Sequence, residues 1–158
     1  MASPFAPGDD NREVVPDEAI LYRRVDWDKI GGKKGCAQGE EAEINGNCFS
    51  DYPEAKAIEL GYPGACMSVG LGLVLLQKDK KPVDLLDGFD GYGLIRVKAG
   101  DLRNLRKLDG SPCPQGIKFS PTGAEPWHCV VFDLSGKRTS AAKKAIAKVA
   151  SWEVPLIG

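Results

Sequence analysis

One side chain stands alone by type among those able to do acid–base or nucleophilic chemistry: His128, the single histidine of the chain, in Pro126-Trp127-His128-Cys129. Its ordinary pKa lies near neutrality, so general acid or base work falls to it first. Cys129 beside it would complete a nucleophile–base pair. Successive residues on a strand point to opposite faces, however, which parts the thiol from the imidazole and favours a buried cysteine. A lone histidine without a partner in the sequence more often serves structure or sits exposed than catalyses.

A second group of candidates is cationic. Arg23 and Arg24 in "LYRRV" fall on opposite faces of one strand, so one of them turns inward or towards a cleft if that strand is central. An inward guanidinium needs a carboxylate or a ligand phosphate to offset its lost hydration; an edge strand would leave both solvated. Gly136, Lys137 and Arg138 precede a helix start at Ser140, where free amides favour an anion. The alternative is a solvated turn before a capped helix. This is no nucleotide P-loop, because Val131 stands where the first glycine belongs and Arg138 where Ser or Thr must follow the lysine.

Two metal readings fail on spacing. Asp84, Asp87 and Asp90 offer no register with calcium-loop ligands at positions one, three, five and twelve. Cys36, Cys48, Cys66, Cys113 and Cys129 never form a C-x-x-C pair, and the chain opens with no secretory pattern. They read as reduced thiols, with no zinc site and no disulfide framework.

These residues need elements to position them. The 158 residues, 42% hydrophobic and 27% charged, suit one core and one domain. Residues 1–17, rich in Pro, Asp and Gly, read as a mobile arm before a globular domain at 18–158. Strands are predicted at Ala19–Val25, across the apolar run Ala65–Leu76 (one strand or two), around Leu94–Val97, and most strongly from His128, where Val130, Val131 and Phe132 suit a buried pleat. "SDYPEAKAIELG" has helix-start chemistry at Ser50, Asp51 and Pro53 and a stop at Gly61. Ala142, Ile146, Val149 and Ala150 form a helical stripe after an N-cap at Ser140. Asp101 could cap one turn, and Pro155 confines the last segment to a tail or an edge strand. The sum is an α+β fold: a mixed or mostly antiparallel sheet of about five or six strands, two helices, and the C-terminal helix packed on the sheet.

The charge balance, 21 Lys and Arg against 22 Asp and Glu for a net −1, supplies no general attraction to nucleic acid. No apolar run reaches bilayer length, so the expectation is a cytoplasmic protein without membrane contact.

The layout "LYRRV", "NCFSDY", "CMSVG" and "PWHCVVF" before a lysine-rich helix resembles that of small bacterial proteins with no assigned activity. Ala19 to Val74 is also similar to the ADP-ribosyltransferase-like fold. That resemblance implies contact with NAD by Arg23 or Arg24 and Ser68, with Tyr22 beside them. It breaks at the late catalytic glutamate of such transferases, since the late strand here offers His128 and Asp133 and Glu125 lies in a turn. The expected function is an intracellular binding or accessory module, recognising a protein or an anionic ligand through Arg23, Arg24, Lys137 and Arg138. The alternative is an ADP-ribosyltransferase-like or related nucleotide-handling enzyme using His128. A cofactor, NAD, enters only under that alternative.

Overall fold

In the computed structural model, which describes residues 7–59 and 66–158, the segment "ILYRRV" at Ile20–Val25 becomes β1, deep in the sheet. β2 (Met67–Leu71), β3 (Gly93–Lys98), β4 (Gln115–Phe119), β5 (His128–Asp133) and β6 (Ser151–Val154) complete one six-stranded sheet in the order β4-β5-β2-β1-β3-β6. Every neighbouring pair is antiparallel. Among the described residues four α-helices, α1 (Glu54–Glu59), α2 (Gly72–Gln77), α3 (Ala99–Arg103) and α4 (Ser140–Val149), stand where two were expected. The stop expected at Gly61 lies outside the described residues.

Strand alternation sorts the two faces. Leu21 and Val25, Met67 and Val69, Ile95 and Val97, and Cys129 and Val131 point to one side. There α3 contributes Leu102, α4 contributes Ala142, Ala145 and Ile146, and the short 3-10 turn Gly46–Phe49 contributes Cys48 and Phe49. Ile146 is fully buried, a gain of roughly 1.5–3 kcal/mol for such a side chain. Val149, expected on that stripe, is 39% exposed, and Ala145 takes its place. The N-cap is Thr139, whose Oγ1 accepts from the Ala142 amide at 3.2 Å, one residue before the expected Ser140.

Two elements depart from expectation for local reasons. The apolar run Ala65–Leu76 turns from strand to helix at Gly72, where a Cβ would meet the Ile20 carbonyl at 3.0 Å and the Tyr22 ring at 3.1 Å. Hydrophobicity alone does not separate a buried strand from a buried helix over so short a run. β4 went unseen because Pro112, Pro114 and Gly116 mask it; Gly116 is needed there because the Phe132 ring of β5 lies over it.

The expectation of a mobile arm through residue 17 does not describe the segment from Asp9 on. Asp10 meets the buried Arg103 guanidinium at 2.9 Å and Asp17 meets it at 2.9 Å. Asn11 lies along β4, donating its amide to the Ile117 carbonyl and accepting the Phe119 amide on Oδ1, both at 2.8 Å. Val15 is fully buried. Arg103 recruits this segment by offering a guanidinium fork that two carboxylates fit.

Candidate functional site

On the face of the sheet opposite α3 and α4, Leu75 of α2 and Leu85 pack against Tyr22 and Leu94, and beside them the geometry of β1 and β2 opens a hollow. β1 pairs with β3 over six positions, Ile20 to Val25, but with β2 over only two, Leu21 with Leu71 and Tyr22 with Gly70. Beyond Tyr22 the two strands lose their ladder. A cavity of about 370 Å³ lies at this divergence, lined by both strands, the start of β5, the loop from Leu85 to Tyr92, and the loop joining β4 to β5.

Period-two alternation places Tyr22, Arg24, Ser68, Gly70 and His128 on the cavity side of their strands, and all five line it. Glycine at position 70 lets the walls come close: a Cβ there would meet Leu85 Cδ1 at 3.0 Å and Trp127 Cδ1 at 3.2 Å. Trp127 thereby rests close against β2. Its Nε1 is buried and has no hydrogen-bond partner among the described residues.

Arg23 points the other way, and its guanidinium fills the gap between the parting strands. Nε donates to the Cys48 carbonyl at 2.6 Å, one terminal nitrogen to Ser68 O at 2.8 Å, and the other to Ser50 O at 2.8 Å. The inward arginine is thus held by three carbonyls where the sequence reading called for a carboxylate or a phosphate. Burial, with repulsion from Arg138 added, pushes its pKa down to about 10. The side chain also reaches the cavity wall.

Arg24 is the more available of the pair. Its guanidinium lies over the Phe89 ring, 4.0 Å from the centroid, and Phe89 in turn meets Tyr92 edge to face at 5.2 Å. One terminal nitrogen donates to Leu85 O at 3.1 Å and the other to Glu125 Oε1 at 3.2 Å. Glu125 is therefore a partner of Arg24 on the cavity wall, although sequence placed it only in a turn.

His128 is 5% exposed, not set out at an open sheet edge, and pairs with Gly70 across β5 and β2. Its Nδ1 lies 2.8 Å from the Ser120 carbonyl. A carbonyl only accepts, so Nδ1 carries the proton and, in the neutral ring, Nε2 bears the lone pair. Cys129 lies on the opposite face, and burial pushes its thiol up to about 12.

Lys29 was not singled out in the sequence, yet it lines the same cavity, half-buried. Burial and then the Arg23 charge push its ammonium below its ordinary pKa. Tyr22 is raised by burial and then by Glu153, and Tyr92 is raised by its hydrogen bond to Asp26.

Lys137 and Arg138 are not part of this site. Lys137 is exposed elsewhere. Arg138 is 5% exposed and fully engaged: Nε donates to Gln115 Oε1 at 3.1 Å, one terminal nitrogen to Val131 O at 2.7 Å, and the other to Asp51. Gln115 passes the network on to Asp133 at 2.8 Å. A buried guanidinium so enclosed stabilises the junction of β4, β5 and the segment before α1, and with its charge met by Asp51 and its side chain closed off from the cavity it offers no site to an external anion.

The missed residues share a cause. Lys29, Phe89, Tyr92 and Glu125 sit in loops, where no period marks the inward side chains, and "DGFDGYG" drew attention for its aspartates when its aromatic rings are what face the cavity. Among the described residues no three His, Cys, Asp or Glu side chains group as a metal ion would require, and no helix is long and apolar enough to cross a membrane. No family model matches the chain, and no curated protein or solved structure matches it either.

Proposed function

We propose that the protein is an intracellular binding module whose cavity takes a small organic anion with a flat or apolar portion. The observation that carries this reading is the charge of the lining: Arg23, Arg24 and Lys29 against the single carboxylate of Glu125, in a hollow of about 370 Å³. Cations held at a partly desolvated wall without matching carboxylates are costly until a ligand supplies the opposite charge. Arg24, stacked on Phe89 and anchored by Leu85 and Glu125, is a pre-oriented clamp for a carboxylate or phosphate. Phe89, Tyr92 and Trp127 give the remainder of the ligand an aromatic wall. Five cysteines, all unbridged, fit a reducing compartment.

The test is calorimetric titration and thermal shift with inorganic phosphate, AMP and NAD, against uncharged adenosine as control. The anions are expected to raise the melting temperature and adenosine to leave it unchanged, with Arg24→Ala weakening binding by about ten-fold or more. Equal responses to AMP and adenosine would remove the charge argument.

A second reading, a nucleotide-handling enzyme, is favoured by one observation: His128, with its proton fixed on Nδ1 by Ser120, shares the cavity with Tyr22, Arg24 and Ser68. NAD turnover by the wild type that disappears in His128→Gln would support it over the plain binding module.

A further inference from the structure

The three cations of the cavity differ in how their charge is met. Arg24 shares its charge with Glu125 at 3.2 Å. Arg23 uses three of its N–H groups on carbonyls, which satisfy hydrogen bonding but bring no negative charge. Lys29 has its backbone amide on Asp26 Oδ1 at 3.0 Å, and its ammonium has no ion pair or hydrogen bond among the described residues. Asp26 is the carboxylate that attracts this ammonium, but the repulsion from Arg23 exceeds that attraction, and Arg24 adds to the repulsion. Asp26 is also held by the Tyr92 hydroxyl. Setting Glu125 against Arg24, and Asp51 against the Arg138 it is ion-paired with, leaves Arg23 and Lys29 lining the cavity with no ion pair of their own, each feeling only the longer-range attraction of Asp51 or Asp26.

Resting on the reading of the cavity as an anion site, we propose that its ligand carries a doubly charged group, a phosphate monoester, and that Lys29 is the residue that selects it over singly charged diesters and carboxylates. Arg24, its charge already shared with Glu125, positions the ligand, and Arg23 meets one anionic charge whatever the group. Lys29, a compact and mobile point charge with three N–H donors, is suited to the second anionic oxygen of a tetrahedral phosphate. A monoanion would leave one cation of the pair unmatched in a partly desolvated site, where opposite charges interact more strongly than in water.

The experiment compares AMP with its 5′-phosphate methyl ester, which differs by one charge and one methyl group, by calorimetry at about pH 8, where the second ionisation of the monoester near 6 is complete. The wild type is expected to bind AMP about ten-fold tighter or more than the ester. Lys29→Met, which keeps the stem and removes the charge, is expected to bring that ratio below about three, and Lys29→Arg to keep it. Lys29→Gln provides the same reading should the methionine variant fail to fold. Equal wild-type affinity for the two ligands, or a ratio unchanged in Lys29→Met, overturns the selection by Lys29 while leaving the anion site standing. Binding of neither ligand overturns both.

Discussion

Arg23 is the side chain that closes the sheet where β1 and β2 part, and removing it tests whether that closure is structural. In Arg23→Met the three carbonyls of Cys48, Ser50 and Ser68 lose their donors. The Cys48 bond is fully buried, whereas those of Ser50 and Ser68 are only partly so. A buried unsatisfied acceptor costs about 1–3 kcal/mol, and one that water reaches costs less. Taking about 2 kcal/mol for Cys48 and about 1 kcal/mol for each of the others gives about 4 kcal/mol, from which recovery of the arginine's own desolvation penalty subtracts. The expected net loss is about 3 kcal/mol, or roughly 6–12 °C in melting temperature for a chain of this size. Arg23→Lys, with one nitrogen to share among three acceptors, should lie between the two. Urea unfolding monitored by tryptophan fluorescence, with calorimetry for the midpoint, measures this. A loss below about 1 kcal/mol in Arg23→Met would refute the reasoning, because the strands would then hold their divergence without the guanidinium.

Three further outcomes are expected. Gly116→Ala places a Cβ at 2.2 Å from the Phe132 ring, so the ring must leave its position, with a loss of about 1–3 kcal/mol in denaturant unfolding. Gly70→Ala crowds Leu85 and Trp127 at 3.0 and 3.2 Å; it should shift tryptophan emission and weaken AMP binding several-fold while Gly123→Ala, where a Cβ meets nothing within 4 Å, does neither. The Cys129 thiol, raised from 9.0 to about 12 in the fold, stabilises fully below the unfolded value. That contribution falls as pH rises, because the unfolded chain ionises first. Between pH 9 and 10 the stability lost to this group is about 1 kcal/mol, so Cys129→Ala should flatten the pH dependence in that window by this amount.

The strands that carry their own signal were legible: Ile20–Val25 and His128–Asp133 alternate or concentrate β-branched residues, and their alternation was enough to put Arg23 and Arg24 on opposite faces and to separate His128 from Cys129. Of the strand residues that line the cavity, Arg23, Arg24 and His128 were candidates from residue type and strand position, and Tyr22 and Ser68 from the family resemblance, whereas Val69 and Gly70 were not named. What did not follow was long-range. Nothing local to Arg138 announces that Asp51 and Gln115 enclose it, and Lys137 was grouped with it only by adjacency in sequence. Nor does a proline- and aspartate-rich start reveal that Arg103, far along the chain, holds Asp10 and Asp17. Partnerships between residues remote in sequence have no signature in either partner's neighbourhood.

The seat of Asn11 on β4 has a consequence for how the molecule behaves among its own copies. β4 is a terminal strand of the sheet, and its outward amides at Ile117 and Phe119 and the carbonyl of Ile117 would otherwise present a template on which a second chain could lay a strand. Asp10 and Asn11 occupy those groups with side-chain oxygens and one main-chain amide, and side-chain oxygens do not propagate a ladder. At the opposite border β6 is four residues long, its register slips against β3, and Pro155 follows at once. The chain thus limits its sheet at both margins, and loss of the Asp10 and Asn11 contacts would open the β4 groups to a neighbouring strand.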